Sequence, residues 1–240
     1  MDQKLEKQIV RVNGVDIAYR FDGPSDGHVV MMANSLMSDC SMWDWNVPAL
    51  TDRYRVLRFD KRGHGASEIT PAPYSIPQLA DDAIALLDAL KIDKVHFIGL
   101  SMGGMIGQQL GARYPERVYS LSLCDTASEM PPRSLWEERF EIARKEGIAG
   151  LVDGTIKRWF TAPFIERAPQ DIAKVREMIL GTKVEGYLGC ASAVRDMAQT
   201  TMLLKIKAPT LILTGRQDPA CTVDQAIVLN RMIDGSSWSS

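Results

Sequence analysis

The chain has 240 residues, with 28 Lys plus Arg against 30 Asp plus Glu, so its formal net charge is −2 and its pI lies near 6.0. That balance excludes the basic footprint of a nucleic-acid-binding surface, and a composition 45% hydrophobic and 24% charged excludes a disordered chain. No run of about 18 apolar residues is available to span a bilayer, and the charged residues 1–7 are not followed by the apolar core of a signal peptide, so a cytoplasmic protein is expected. The four cysteines, Cys40, Cys124, Cys190 and Cys221, form no C-x-x-C pair, which leaves zinc and dithiol chemistry without a motif and predicts free thiols.

Gln8–Val12 and residues 15–20, joined by Asn13-Gly14, read as a hairpin because Asn-Gly favours a type I′ turn. His28–Ala33 and Tyr54–Phe59 are short apolar runs without helical period, as buried strands are. Residues 76–90 place Leu79, Ala83, Leu86, Leu87 and Leu90 on one helical face. Residues 94–98 are again strand-like, residues 103–114 are helical up to Pro115, and Val118–Cys124 is a further strand. From about Pro131 to Thr200 the patterns are helical, over residues 133–147, 148–160, 169–180 and 184–199, and the sheet pattern resumes at residues 209–214. This order predicts an α/β fold: a mostly parallel sheet with flanking helices, and a helical cap inserted between strands above the sheet's carboxyl edge. The divisions expected are residues 1–128 and 201–240 for the two parts of the core, and 129–200 for the cap.

The segment with the most chemical content is Gly99-Leu100-Ser101-Met102-Gly103, a G-x-S-x-G pattern between a buried strand and a helix rich in small residues. A serine on so sharp a turn has a strained backbone and needs small residues two before and two after it. Its hydroxyl is lifted above the sheet, at a helix start that supplies N–H groups and partial positive charge. Ser101 is therefore the candidate nucleophile. The loop after residues 28–33, Asn34-Ser35-Leu36-Met37, is placed to give a second oxyanion donor, so the N–H groups of Leu36 and Met102 are the expected pair. Asp218, after the apolar run 211–213 and a glycine turn, is the favoured acid, with Asp125 after Cys124 as the second candidate. In the run from Asp60 to Ser67, His64 reads as a structural hydrogen-bonder rather than a base.

These residues resemble the α/β-hydrolase superfamily, and within it the 3-oxoadipate enol-lactonases. The resemblance is carried by Ala33-Asn34-Ser35-Leu36, Met42-Trp43-Asp44, the run Phe59 to Ser67 with Arg62-Gly63-His64-Gly65, and Ser101 with its glycines. Arg158-Trp159-Phe160, Arg195-Asp196-Met197 and Asp218-Pro219 add to it. It implies a serine hydrolase of a small lactone or ester, forming an acyl-enzyme on Ser101 with Asp218 orienting a histidine, without metal or organic cofactor. Acyl-homoserine lactonases and carboxylesterases look similar and remain alternatives. For an enol-lactone of a dicarboxylic acid, a cap cation should meet the spare carboxylate. Arg133, Arg139 and Arg158 are candidates, with Trp136 and Trp159 beside them.

The family's catalytic histidine follows the acid after one more strand, yet no histidine follows Asp218 here; the three present are His28, His64 and His96. Residues 234–240 are too small and polar for an apolar strand. The expectation is a shortened chain lacking the last strand, the histidine loop and the closing helix. A catalytically silent scaffold that binds a small molecule is the rival of another class.

Overall fold

In the computed structural model, which describes residues 7–130 and 132–240, Asn13 and Gly14 take left-handed φ values of 46° and 72°. They turn β1 (Gln8–Val12) back on β2 (Val15–Asp22) in the type I′ manner expected of Asn-Gly. β3 (His28–Ala33) and β4 (Tyr54–Phe59) have the bounds read from their apolar runs. β5 (Val95–Leu100) and β6 (Val118–Cys124) follow, then β7 (Thr210–Leu213) and β8 (Ser237–Ser239). The eight strands form one sheet in the order β1-β2-β4-β3-β5-β6-β7-β8. β2 pairs antiparallel with β1 and β4, and every pairing from β4 through β3 to β8 is parallel.

α1 (Ile76–Ala89) starts at Ser75, whose side chain accepts the Gln78 N–H, and buries Leu79, Ala83, Leu86 and Leu87. α2 (Met102–Arg113) lies on the middle of the sheet, with Ile106 and Leu110 fully buried against Phe97, Leu121 and Leu123. Its glycines let it approach closely: a Cβ on Gly107 would meet the Phe97 ring at 2.8 Å.

Between β6 and β7 come five helices: α3 (Arg133–Glu146), α4 (Ala149–Trp159), α5 (Ala162–Arg167), α6 (Pro169–Leu180) and α7 (Val184–Arg195). The helical reading of this stretch holds, and α4 and α6 border a cavity at the carboxyl end of the sheet. Among the described residues no helix is long and apolar enough to cross a membrane.

One feature corrects the expectation that the last strand is absent. Ser237–Ser239 forms β8, parallel to β7 through Leu211↔Ser237, Ile212↔Trp238 and Leu213↔Ser239. All three of its residues are exposed. An edge strand pairs through its backbone, so it needs no apolar alternation, and Asp234–Ser240 lacks only the pattern of a buried strand. Ahead of it, α8 (Val223–Met232) was not anticipated. Its start is marked by a capping box, the Thr222 side chain and Gln225 satisfying each other's backbone N–H groups.

Candidate active site

Ser101 joins β5 to α2 at φ 53° and ψ −114°, a region that a side-chain-bearing residue enters only when its surroundings enforce it. The enforcement is visible. Its N–H donates to the Cys124 carbonyl at 2.8 Å, and its own carbonyl accepts from Thr126 Oγ1 at 2.7 Å. A Cβ on Gly99 would meet the Gly103 carbonyl oxygen at 2.3 Å, and one on Gly103 would meet the Ala33 carbonyl oxygen at 2.1 Å. The small residues expected on both sides of Ser101 are thus sterically required. As the cap of α2, Ser101 sits beside first-turn N–H groups, Met102 among them, that have no partner within the helix.

Ser101 opens onto a cavity of about 1060 Å³. Leu100, Ser35, Asp125, Asp218 and Cys221 line it from the sheet side, Arg158, Trp159, Phe160 and Met178 from the inserted helices, and Trp45 from a third side. The space is mostly apolar with a few convergent polar groups, which suits a small organic ligand.

The loop after β3 is held at nearly every residue. Asn34 Nδ2 donates to the Phe59 carbonyl at 2.8 Å and its Oδ1 accepts from the Trp43 indole at 3.0 Å. The Lys61 ammonium donates to the carbonyls of Ser35 at 2.6 Å and Ser38 at 3.3 Å. Met37, at φ 63°, donates its N–H to His64 Nε2 at 3.0 Å. The Leu36 N–H has no hydrogen-bond partner among the described residues, and neither do the N–H groups of Asn34, Ser38 and Asp39. The side chains of Leu36 and Met102 are buried and neither residue lines the cavity, although their neighbours Ser35 and Ser101 do. Any role for the two lies in their backbone N–H groups.

Burial, and then the nearby Lys61 charge, hold the His64 imidazole well below its usual range, so it is a neutral acceptor. Burial likewise lowers Lys61 to about 8. His64 is the structural hydrogen-bonder that its loop implied. His96 is half-buried in β5, with Nδ1 2.8 Å from Ser120 Oγ, and His28 is exposed at the start of β3. No histidine lines the cavity.

Both acid candidates line it. Asp218 Oδ1 accepts from the N–H groups of Ala220 at 2.7 Å and Cys221 at 3.0 Å, while Asp125 Oδ1 accepts from Gly215 N–H at 2.7 Å. Burial pushes Asp125 up, the Gly215 bond draws it down, and Asp218 adds a smaller upward push. Sequence reasoning missed Cys221, which shares this loop. Burial, then Asp218 and Asp125, push its thiol up, and the Ser101 side chain beside it pulls the other way. No local pattern marks such a residue.

Of the four cap residues expected to bind substrate, Arg158 and Trp159 line the cavity and Arg133 and Trp136 do not. Arg133 is exposed at the start of α3 and pairs with Asp196, within a cluster that includes Arg195 and Glu137. Trp136 is buried, donating its indole N–H to the Met130 carbonyl at 3.1 Å. Helical periodicity places both correctly on their helix, but not relative to the cavity. A cluster of Asp39, Cys40 and Asp60 has donor atoms spaced for a metal. Its charge is already met by the Lys7 ammonium, 2.7 Å from Asp60 Oδ2, and the Cys40 N–H takes Asp60 Oδ1 at 2.7 Å.

Residues 30–234 match the family described as the alpha/beta hydrolase fold. The chain is 35% identical over 217 residues to 3-oxoadipate enol-lactonase 2 of Acinetobacter baylyi, a match that covers 90% of this chain and 81% of that protein. It is similar to the crystal structure of the enol-lactonase from Burkholderia xenovorans, with 39% identity and a TM-score of 0.94 over 96% of this chain and 90% of that one. A thermophilic esterase from Thermogutta terrifontis follows at 27% identity and a TM-score of 0.89, covering 97% of this chain and 88% of that one. With its sheet order, its strained serine turn and a match over most of its length, the chain belongs to the α/β-hydrolase fold family and is a hydrolase of that lineage.

Proposed function

We propose that this chain acts on a small lactone or ester, with 3-oxoadipate enol-lactone as its best-supported substrate and Ser101 as the nucleophile. The observation that carries this reading is Ser101 at its strained turn, opening onto the same cavity as Asp218 and Arg158. Ser101 Oγ attacks the ring carbonyl carbon as its proton passes to water, and the Leu36 and Met102 N–H groups receive the oxyanion. Collapse breaks the ring C–O bond, the leaving enol oxygen takes a proton from water, and a second water hydrolyses the acyl-enzyme to the acid and free Ser101. The likeness to two enol-lactonases supports the lactone over the acyl-homoserine lactone and the simple carboxylic ester.

In this mechanism Asp218 would orient an imidazole, and His28, His64 and His96 all lie outside the cavity. The rate available to the chain as it stands therefore rests on oxyanion stabilisation and binding, about 10³–10⁴-fold over water. That same observation favours a second reading, a catalytically silent scaffold that binds the ligand without turning it over.

A fluorophosphonate that reacts with activated serines separates the two, read by intact mass. The hydrolase reading expects one adduct on the chain and none on Ser101→Ala. A well-folded chain that stays unlabelled would support the scaffold instead.

A further inference from the structure

The two edges of the sheet meet solvent differently. β1 carries Arg11, which pairs with Asp16 and Glu68 beside it. Charge on an edge strand discourages pairing with another chain. At the other end, β8 is Ser237-Trp238-Ser239, without charge or proline, and all three residues are exposed.

The direction of its backbone groups follows from its pairing with β7. The Ser239 carbonyl accepts the Thr214 N–H at 3.1 Å, so Ser239 turns its backbone groups toward β7. Successive residues of a strand turn these groups to alternate sides. Trp238 therefore presents both its N–H and its carbonyl at the open edge, where no described strand lies beyond it. Its side chain lies on the face of the fully buried Ile212, its partner in register, and yet the residue is 38% exposed.

We infer that β8 is an interface with a second copy of this chain, the two strands pairing antiparallel about a two-fold axis at Trp238. Such an axis sets Trp238 opposite its own counterpart as a hydrogen-bonded pair. Each N–H then meets the other carbonyl, and the two indole rings lie side by side on one face. A contact of this symmetry must also be complementary to itself. Asp234 precedes β8 at its amino end, while Arg216 donates to the Ser240 carbonyl at 3.3 Å at its carboxyl end. Both are exposed, and neither is in an ion pair with a described residue. Antiparallel pairing brings the Asp234 end of each strand to the Arg216 end of the other, giving one opposite-charge pair on each side of the axis. A parallel pairing would set like charges together. Arg216 also lines the cavity, which ties the interface to the loop of Asp218. An interface built on one short strand and two surface ion pairs is small, so the dimer is a weak one, with Kd on the order of 10 µM.

Sedimentation velocity over a dilution series of the full chain tests this. The expected result is a reversible shift from twice the chain mass of 26.7 kDa to a single chain as concentration falls. Trp238→Pro removes the N–H at the open edge but leaves the Ser237 and Ser239 bonds to β7, so it should keep the parent's circular dichroism and stay monomeric throughout. Asp234→Arg and Arg216→Asp each set like charges together. Each alone should weaken the dimer at least about fivefold, and the two combined in one chain should restore it.

If Trp238→Pro loses the native circular dichroism, the charge reversals decide alone, since both alter exposed side chains. A monomer at every concentration overturns the interface, as does a dimer of unchanged strength in folded Trp238→Pro or in both single reversals. Failure of the combined reversals to recover the dimer overturns the two-fold pairing about Trp238, and so does growth into open-ended oligomers.

Discussion

Asp125 and Asp218 face one cavity from successive loops, and they are mechanically linked: Asp125 Oδ1 holds the Gly215 N–H at 2.7 Å, three residues before Asp218. Asp125 itself stands at φ 39°, its N–H bound to the Leu213 carbonyl at 2.8 Å. The acid loop is therefore anchored to the end of β6 by a carboxylate whose own ionisation burial and Asp218 oppose. Asp125 thus braces the loop that carries Asp218.

Asp125→Asn keeps an oxygen for the Gly215 N–H while removing the charge. Because the folded protein raises this carboxyl, its ionisation costs stability as pH rises through the folded value, and the cost is absent below the unfolded value. The variant should melt higher than the parent near pH 8, by up to about 3 °C, with the gap closing on the acid side. Melting curves at pH 8 and pH 4.5 check this; a lower melting temperature at pH 8 contradicts it.

Gly103→Ala places a methyl group against the Ala33 carbonyl oxygen, where a Cβ would lie 2.1 Å away. Backbone cannot yield as a side chain tip can, so a loss of about 1–3 kcal/mol is expected. Fluorophosphonate labelling of Ser101 should slow with it, because α2 and the serine turn must shift together. Denaturant unfolding and the labelling rate report the two effects separately.

Lys61 makes the pH dependence of the loop beside Ser101. Its folded value of about 8 lies below the ordinary lysine value of 10.5, so between these pH values the unfolded chain binds more protons. The parent should gain stability over Lys61→Met as pH rises through that window, by on the order of 3 kcal/mol in all, and show no change in the gap below pH 8. Thiols that ionise in the unfolded chain over the same range affect both proteins equally and cancel in the difference. Urea midpoints at pH 7.5 and pH 10 measure it. Independently, Lys61→Met leaves the Ser35 and Ser38 carbonyls short of a donor, so labelling of Ser101 should slow.

His64 titrates in the opposite part of the scale. Its folded value is far below that of the unfolded chain, so stability falls as pH drops below about 6.5. His64→Gln, whose side-chain oxygen can still accept the Met37 N–H, should blunt that loss and retain serine labelling at neutral pH. Abolished labelling in a folded His64→Gln protein would make the imidazole a participant in the chemistry instead.

Much of this molecule was legible in contiguous residues. Asn13-Gly14 dictated a left-handed turn, the bounds of β3, β4 and β6 followed from short, mostly apolar stretches without helical period, and Gly99 and Gly103 announced the crowding around Ser101. The histidine of the loop after β4 was also readable as a hydrogen-bonder. β8 was not, because an exposed edge strand pairs through backbone groups that every residue carries. α8 escaped notice although its Thr222–Gln225 capping box was present to be read.

The amino-acid sequence alone determined where the chain bends, which stretches bury an apolar face, and which serine the sharpest bend must expose, since each of these depends on steric and solvation preferences of neighbouring residues. Only the tertiary structure decided that Asp125 braces the loop of Asp218, that Cys221 lies beside Ser101, and that Arg158 lines the cavity while Arg133 finds Asp196. Helical period shows which way a side chain faces on its own helix. Which charge it meets there depends on how separate helices dock, and that packing is settled by residues distant along the chain.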